Sequence, residues 1–234
     1  MLFLPACADT ANSAGAGEDE RFVPEGLSVV PSSVGGNGVF NLIAFTLQPG
    51  SSRTDLYAAL RNDGDIPACS PAFSVEFFDT SDQSIARGVA GLLVQRFYRT
   101  ADDPEQLAAC VGPGDVTMLA ITDLPADLLE HVSHGAYWMT YWALNVVPTD
   151  GIAIREVQPV RQDEGTAYTG VLVNGLDVGA RAAVAVFPVN RVGRPLGIAS
   201  ARDTLEVPPA GRWEFQTDTV IDSGAAHFAY PAGG

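Results

Sequence analysis

Alternating apolar and polar positions dominate this chain. Leu56, Ala58 and Leu60 alternate with Tyr57, Ala59 and Arg61 before the turn residues Asn62-Asp63-Gly64. Phe73, Val75 and Phe77 alternate with Ser74, Glu76 and Phe78 before a turn around Asp79 to Ser84. Ala167 to Asn174 and Ala182 to Val189 continue the same period. A period of two is that of a strand with one buried face, and strands about 8–12 residues apart with turns between them predict an all-β sandwich. The 24 Gly and 16 Pro residues fit many turns. Helix is predicted only in the first half. Asp123-Leu124-Pro125 opens Ala126 to Ser133, closed by Gly135, and Asp103-Pro104 opens one turn over Glu105 to Ala109.

The pattern repeats. The stretch from Thr54 (TDLYAALRNDGDIPACSPAFSVEFFDTSDQSIARG) matches the stretch from Thr166 (TAYTGVLVNGLDVGARAAVAVFPVNRVGRPLGIAS) in the order of its features. Leu60 and Asn62 align with Leu172 and Asn174, and Asp79 and Ile85 align with Asn190 and Leu196. Val111-Gly112-Pro113-Gly114-Asp115 falls opposite Pro208-Pro209-Ala210-Gly211-Arg212. Each copy then runs into a strand, Val116 to Ile121 and Trp213 to Thr217. Two copies of one β unit predict three segments: a tether over 1–27, a sandwich over 28–147 with one or two short helices, and a sandwich over 148–234.

Leu60-Arg61-Asn62, Phe77-Phe78-Asp79 and Pro113-Gly114 resemble the FxLYD-type and related immunoglobulin-like domains of bacterial envelope proteins. The resemblance covers about 54–121 and 166–217. The second copy departs from it, with Val189-Asn190 for the Phe-Asp pair and Ala210-Gly211 for Pro-Gly. It implies tandem immunoglobulin-like sandwiches that bind or adhere and have no catalysis.

Charge narrows the partners. The chain has 234 residues, 47% hydrophobic and 18% charged, with a formal charge of −15. All 13 positive side chains are Arg. Residues 1–147 carry 18 acids and 6 Arg, net −12, and residues 148–234 carry 10 acids and 7 Arg, net −3. A field of this sign repels phosphate backbones and argues against nucleic acid.

No 18-residue apolar run is present, so no membrane-spanning helix is expected. The N-terminus carries a different signal. Leu4-Pro5-Ala6-Cys7 resembles the lipobox of bacterial lipoproteins, in which the Cys carries lipid. Only Leu2 to Ala6 precede Cys7, without a basic segment. Ala8 to Glu20 (ADTANSAGAGEDE) reads as a flexible tether. The resemblance implies a membrane anchor on Cys7 and an envelope location. Ala8, rather than Asp, follows the Cys, which implies the outer membrane. The alternative is an unlipidated chain with a free Cys7.

Cys69 and Cys110 remain. In an exported chain an even pair reads as a disulfide, here closing 41 residues; two separate buried thiols are the alternative. Neither lies in a Cys-x-x-Cys pair or near a His, so zinc is disfavoured.

Three stretches are candidates for chemistry. In Glu130-His131-Val132-Ser133-His134, a helix would set His131 and His134 on one face as metal ligands; two surface imidazoles near a helix end are the plainer reading. In Tyr137-Trp138-Met139-Thr140-Tyr141-Trp142, a strand turns Tyr137, Met139 and Tyr141 one way and Trp138, Thr140 and Trp142 the other. Tyr137, Trp138, Tyr141 and Trp142 could form a stacking platform for a glycan or a protein, or the strand could be covered on both faces. The acidic turns Asn62-Asp63-Gly64-Asp65 and Asp79-Thr80-Ser81-Asp82 offer oxygens, but no 12-residue calcium loop follows either. Val34 to Gly38 reads as a loop. No nucleophile elbow, phosphate loop or dinucleotide fingerprint is present, so no catalytic residue and no cofactor is expected. The reading is a structural or binding module of the envelope. A carbohydrate-binding module on the exposed aromatics is the alternative, and a metal enzyme on His131 and His134 is the remote one.

Overall fold

In the computed structural model, the residues described are 27–32, 39–93, 96–103, 106–149, 151–201 and 205–233. Cys7, the tether and the Val34–Gly38 loop lie outside them. The fold is all β. The first half contains β1 (Ser28–Pro31), β2 (Phe40–Pro49), β3 (Thr54–Asn62), β4 (Ala68–Phe78), β5 (Ser84–Gly91), β6 (Arg96–Thr100), β7 (Leu107–Val111), β8 (Val116–Leu124), the helical turn α1 (Leu128–His131), β9 (His134–Trp142) and β10 (Val146–Thr149). The second contains β11 (Ile152–Gln162), β12 (Gly165–Asn174), β13 (Ala180–Val189), β14 (Ala199–Ser200), β15 (Leu205–Val207), β16 (Arg212–Gln216) and β17 (Ala226–Gly233).

The repeat is one of topology. Sheet β2-β3-β8 has its counterpart in β11-β12-β16. Strand β4 pairs with β5, β7 and β9, and β13 pairs in the same way with β14, β15 and β17. The first copy adds β1, parallel to β9, and β6 and β10 beyond β7.

Two turn networks explain why so little identity suffices. Asn62, fully buried, donates from Nδ2 to the carbonyls of Ile66 (3.0 Å) and Val111 (2.9 Å) and accepts from the Gly64 amide (3.0 Å). Asn174, also fully buried, donates to Val178 and Val207 (both 2.9 Å) and accepts from the Leu176 amide (3.0 Å). The side chain stitches its own turn to a distant strand, a task that needs both a donor and an acceptor. Asp79 Oδ1 accepts from the Ser81 and Gln83 amides, and Asn190 Oδ1 from those of Val192 and Arg194. These turns accept Asp or Asn alike because the two amide bonds that close them need only a side-chain oxygen.

The networks correct the alignment by one residue. Val111 corresponds to Val207, so Gly114 corresponds to Ala210. Both have positive φ, +76° and +53°. The helices also shrink. Among the described residues only Leu128–His131 is helical, and Asp127 makes no side-chain cap. The turn predicted over Glu105 to Ala109 fails where described: Leu107, Ala108 and Ala109 pair with Arg99, Tyr98 and Phe97. Cross-strand pairing outweighs a local start signal for so short a helix.

Strands β3 and β13 are buried on both faces. Leu56, Ala58 and Leu60 join the main core, while Tyr57 and Ala59, with Met118 of β8, meet Ala185, Phe187, Val189 and Tyr230 of the second copy. This second core glues the outer face of β2-β3-β8 to the outer face of β13-β17. Two polar contacts frame it: Thr46 Oγ1 donates to the Pro195 carbonyl (2.6 Å), and Tyr230 donates to the Val116 carbonyl (3.3 Å); elsewhere between the copies Arg99 Nη2 meets Asp177 Oδ1 (2.6 Å).

Candidate functional site

The outer face of β13-β17 is covered by the first copy. No described residue covers the corresponding face of the first copy, on β5-β4-β9. The two turn networks fix the equivalence. Asp79 corresponds to Asn190, so Ser74, Glu76 and Arg87 correspond to Ala185, Phe187 and Ile198. Val75 pairs with Tyr137 and Val186 with Ala229, so Trp138 corresponds to Tyr230. One position is therefore wholly buried in the second copy and half-exposed in the first.

Trp138 stands in the middle of this open face. Its cross-strand neighbour on β4 is Ser74, which pairs in turn with Val89 of β5. Arg87 pairs with Glu76 and sets its guanidinium 4.9 Å from the centre of the Trp138 ring. A cation over an indole contributes about 0.5–1 kcal/mol at an exposed site. Glu76 Oε1 accepts from Ser84 Oγ (2.6 Å). Val89 and Val30 border the face with 62% and 50% of their surface exposed, and Trp142 lies farther along β9 at 69%. The patch combines an aromatic anchor, aliphatic edges and an acid and a base at opposed positions of β4 and β5.

The structure divides the aromatic run. The strand turns its side chains in the expected alternation, and among the described residues no layer covers its Trp138 face. Tyr137 cannot belong to a platform: it is 1% exposed, stacks on Phe73 (5.6 Å) and donates to the Phe40 carbonyl (3.3 Å). Tyr141 is half-buried and turns edge-on to Phe40 (6.1 Å). Trp138 and Trp142 alone of the four face outward. Their separation, four residues on a strand, is about 13 Å. Arg87 was not legible as a partner of Trp138, because they meet only through two pairings to β4.

His131 and His134 do not share a helical face. The helix ends at His131, and His134 opens β9 opposite Phe78, on which it stacks (5.1 Å). Their Nε2 atoms turn to separate acids, Asp127 (3.8 Å) and Asp82 (3.6 Å). His227 lies tilted against Tyr168 (5.2 Å between ring centres), and burial lowers its pKa. Among the described residues no group of three His, Cys, Asp or Glu side chains is arranged to hold a metal ion.

Cys69 and Cys110 form a disulfide between directly opposed residues of β4 and β7. The second copy sets Arg181 opposite Glu206 at the same place. Opposite charges thus stand at directly opposed positions where the first copy has its cross-link. A cleft of about 640 Å³ opens beside the disulfide at the junction of the copies, lined by Ser70, Asp102, Gln106, Asn145 and Arg181 among others.

The chain matches no family model and no curated protein. Among solved structures it is similar to red sea bream transglutaminase, at 9% identity and a TM-score of 0.21 over 82% of this chain and 28% of that one. At that score the likeness carries no argument.

Proposed function

We propose that this chain is a non-catalytic protein of a bacterial envelope, anchored by lipid on Cys7, that acts as a binding module through the open face around Trp138. In this reading a tether, 1–27, carries two immunoglobulin-like domains, 28–147 and 148–234. The observation that supports binding is the equivalence of Trp138 and Tyr230: the same face, at the same place in the same topology, is already used once for docking. The disulfide supports an oxidising compartment. The test is hydroxyl-radical footprinting of Trp138 in intact cells and in the purified protein. Protection in cells is expected; equal reactivity would refute the binding face. Intact mass of the protein from its own cells tests the anchor, and a Cys7 without acyl chains would refute it.

A glycan is the second reading, favoured by Trp142, which is 69% exposed on the same side of β9 as Trp138. No single sugar ring spans the two indoles, about 13 Å apart. A glycan site therefore predicts that oligosaccharides change tryptophan fluorescence and monosaccharides do not. Loss of the change in both Trp138→Ala and Trp142→Ala would support it.

A further inference from the structure

The contact between the copies is head to tail: the β13-β17 face of the second meets the β2-β3-β8 face of the first. Such a contact leaves one unused face of each kind. Among the described residues, the first copy keeps its β5-β4-β9 face uncovered, and the second keeps the outer face of β11-β12-β16. We propose that these two faces are the ends of one repeating contact, so that the partner of the Trp138 face is the β11-β12-β16 face of a second copy of this chain. The proposal rests on the binding-face reading above and names its partner.

In the internal contact Tyr230 donates to the Val116 carbonyl, and Thr46 donates to the Pro195 carbonyl. The pairings translate each atom to its counterpart. Tyr230 becomes Trp138. Val116, opposite Arg61, becomes Arg212, opposite Val173. Thr46, opposite Tyr57, becomes Gln158, opposite Thr169. Pro195, one residue after the acceptor Arg194, becomes Ser84, one residue after Gln83. Both bonds survive in kind, because an indole N–H can donate to the Arg212 carbonyl and a Gln amide to the Ser84 carbonyl. Two unrelated substitutions at the right places each keep a donor.

The rest of the contact changes character. The internal acceptor face presents Tyr57, Ala59 and Met118, while its counterpart presents Thr169, Val171 and Glu214. On the donor side Phe187 and Ile198 give way to Glu76 and Arg87. Arg155 and Arg212 on the acceptor face offer opposite charges to Glu76, and Glu214 to Arg87. An apolar permanent contact becomes a polar reversible one around a single aromatic anchor, as expected of an association between folded molecules. A heterologous contact of this kind joins unlike faces, so it builds rings or open chains rather than a symmetric two-fold dimer.

The test uses the full chain with Cys7→Ser. Two further variants, Ser84→Cys and Gln158→Cys, are made separately and mixed under mild oxidation. A linked dimer should form in the mixture and not in either variant alone. Sedimentation should show a mass rising with concentration from the 24.6 kDa monomer, and Trp138→Ala should weaken association about tenfold or more. A monomer up to about 1 mM, beyond which association is weaker than about 4 kcal/mol, would overturn the proposal. So would equal cross-linking of each variant with itself. The two readings fail separately: Trp138 protected in cells, with no self-association, overturns the second copy and leaves the binding face standing.

Discussion

Removing one buried amide tests how this fold is held. Asn62→Ala deletes two donated bonds, to Ile66 and Val111, and one accepted from Gly64, all at 2.9–3.0 Å around a side chain with no exposed surface. At about 1 kcal/mol net for each bond the loss is about 3 kcal/mol. For a chain of this size that lowers Tm by about 6–12 °C. Asn174→Ala removes the same three bonds and a further contact to the Pro208 carbonyl at 3.1 Å, so its cost should be at least as large. Urea unfolding measures the loss, with an unchanged slope as the sign that only stability moved. Amide exchange gives the local readout: the Gly64 amide should exchange faster in Asn62→Ala, and the Leu176 amide faster in Asn174→Ala. A loss below about 1 kcal/mol in either variant would refute the reasoning, since it would mean that water replaces the amide without penalty.

Other outcomes follow from the same structure. Cys69→Ser with Cys110→Ser opens a loop of 41 residues and should cost about 4 kcal/mol by chain entropy, seen as a lower urea midpoint; an unchanged midpoint would show that strand pairing alone holds this edge. Phe187→Ala empties the core between the copies and should cost about 3–5 kcal/mol, with the amides of β3 losing exchange protection alongside those of β13. Ala210→Gly relieves a positive φ that its counterpart Gly114 adopts freely, and should stabilise by about 1 kcal/mol in urea unfolding. Burial depresses the pKa of His227. Its neutral form is therefore favoured by folding, so the stability is present above the unfolded value of about 6.5 and lost as pH falls through the folded value. His227→Gln should flatten that part of the stability–pH curve.

The sequence by itself determined the strand-dominated fold, the turns and the repeat. Alternation along Leu56–Arg61 and Phe73–Phe78 is a local property, and the side-chain oxygens of Asn62, Asp79, Asn174 and Asn190 each accept from amides within four residues, while the donated bonds of Asn62 to Val111 and of Asn174 to Val207 reach a distant strand that only the fold supplies. The local features can be read because strand period and turn chemistry are set by near neighbours. The pairing of Cys69 with Cys110 was one of two open readings, and the opposed strands β4 and β7 decided it. Tertiary structure also decided what the apolar positions face. Tyr57, Ala59, Phe187 and Tyr230 look like the outer residues of ordinary strands, yet they form a second core, because a sheet face becomes interior only when another sheet meets it. For the same reason a strand signal at Tyr137–Trp142 could not say which aromatics were free. Burial of Tyr137 and exposure of Trp138 depend on the layer behind one and the lack of a layer, among the described residues, over the other. His131 and His134 parted because pairing with Phe78 drew His134 into a sheet, an interaction between residues far apart in the chain that no local pattern records.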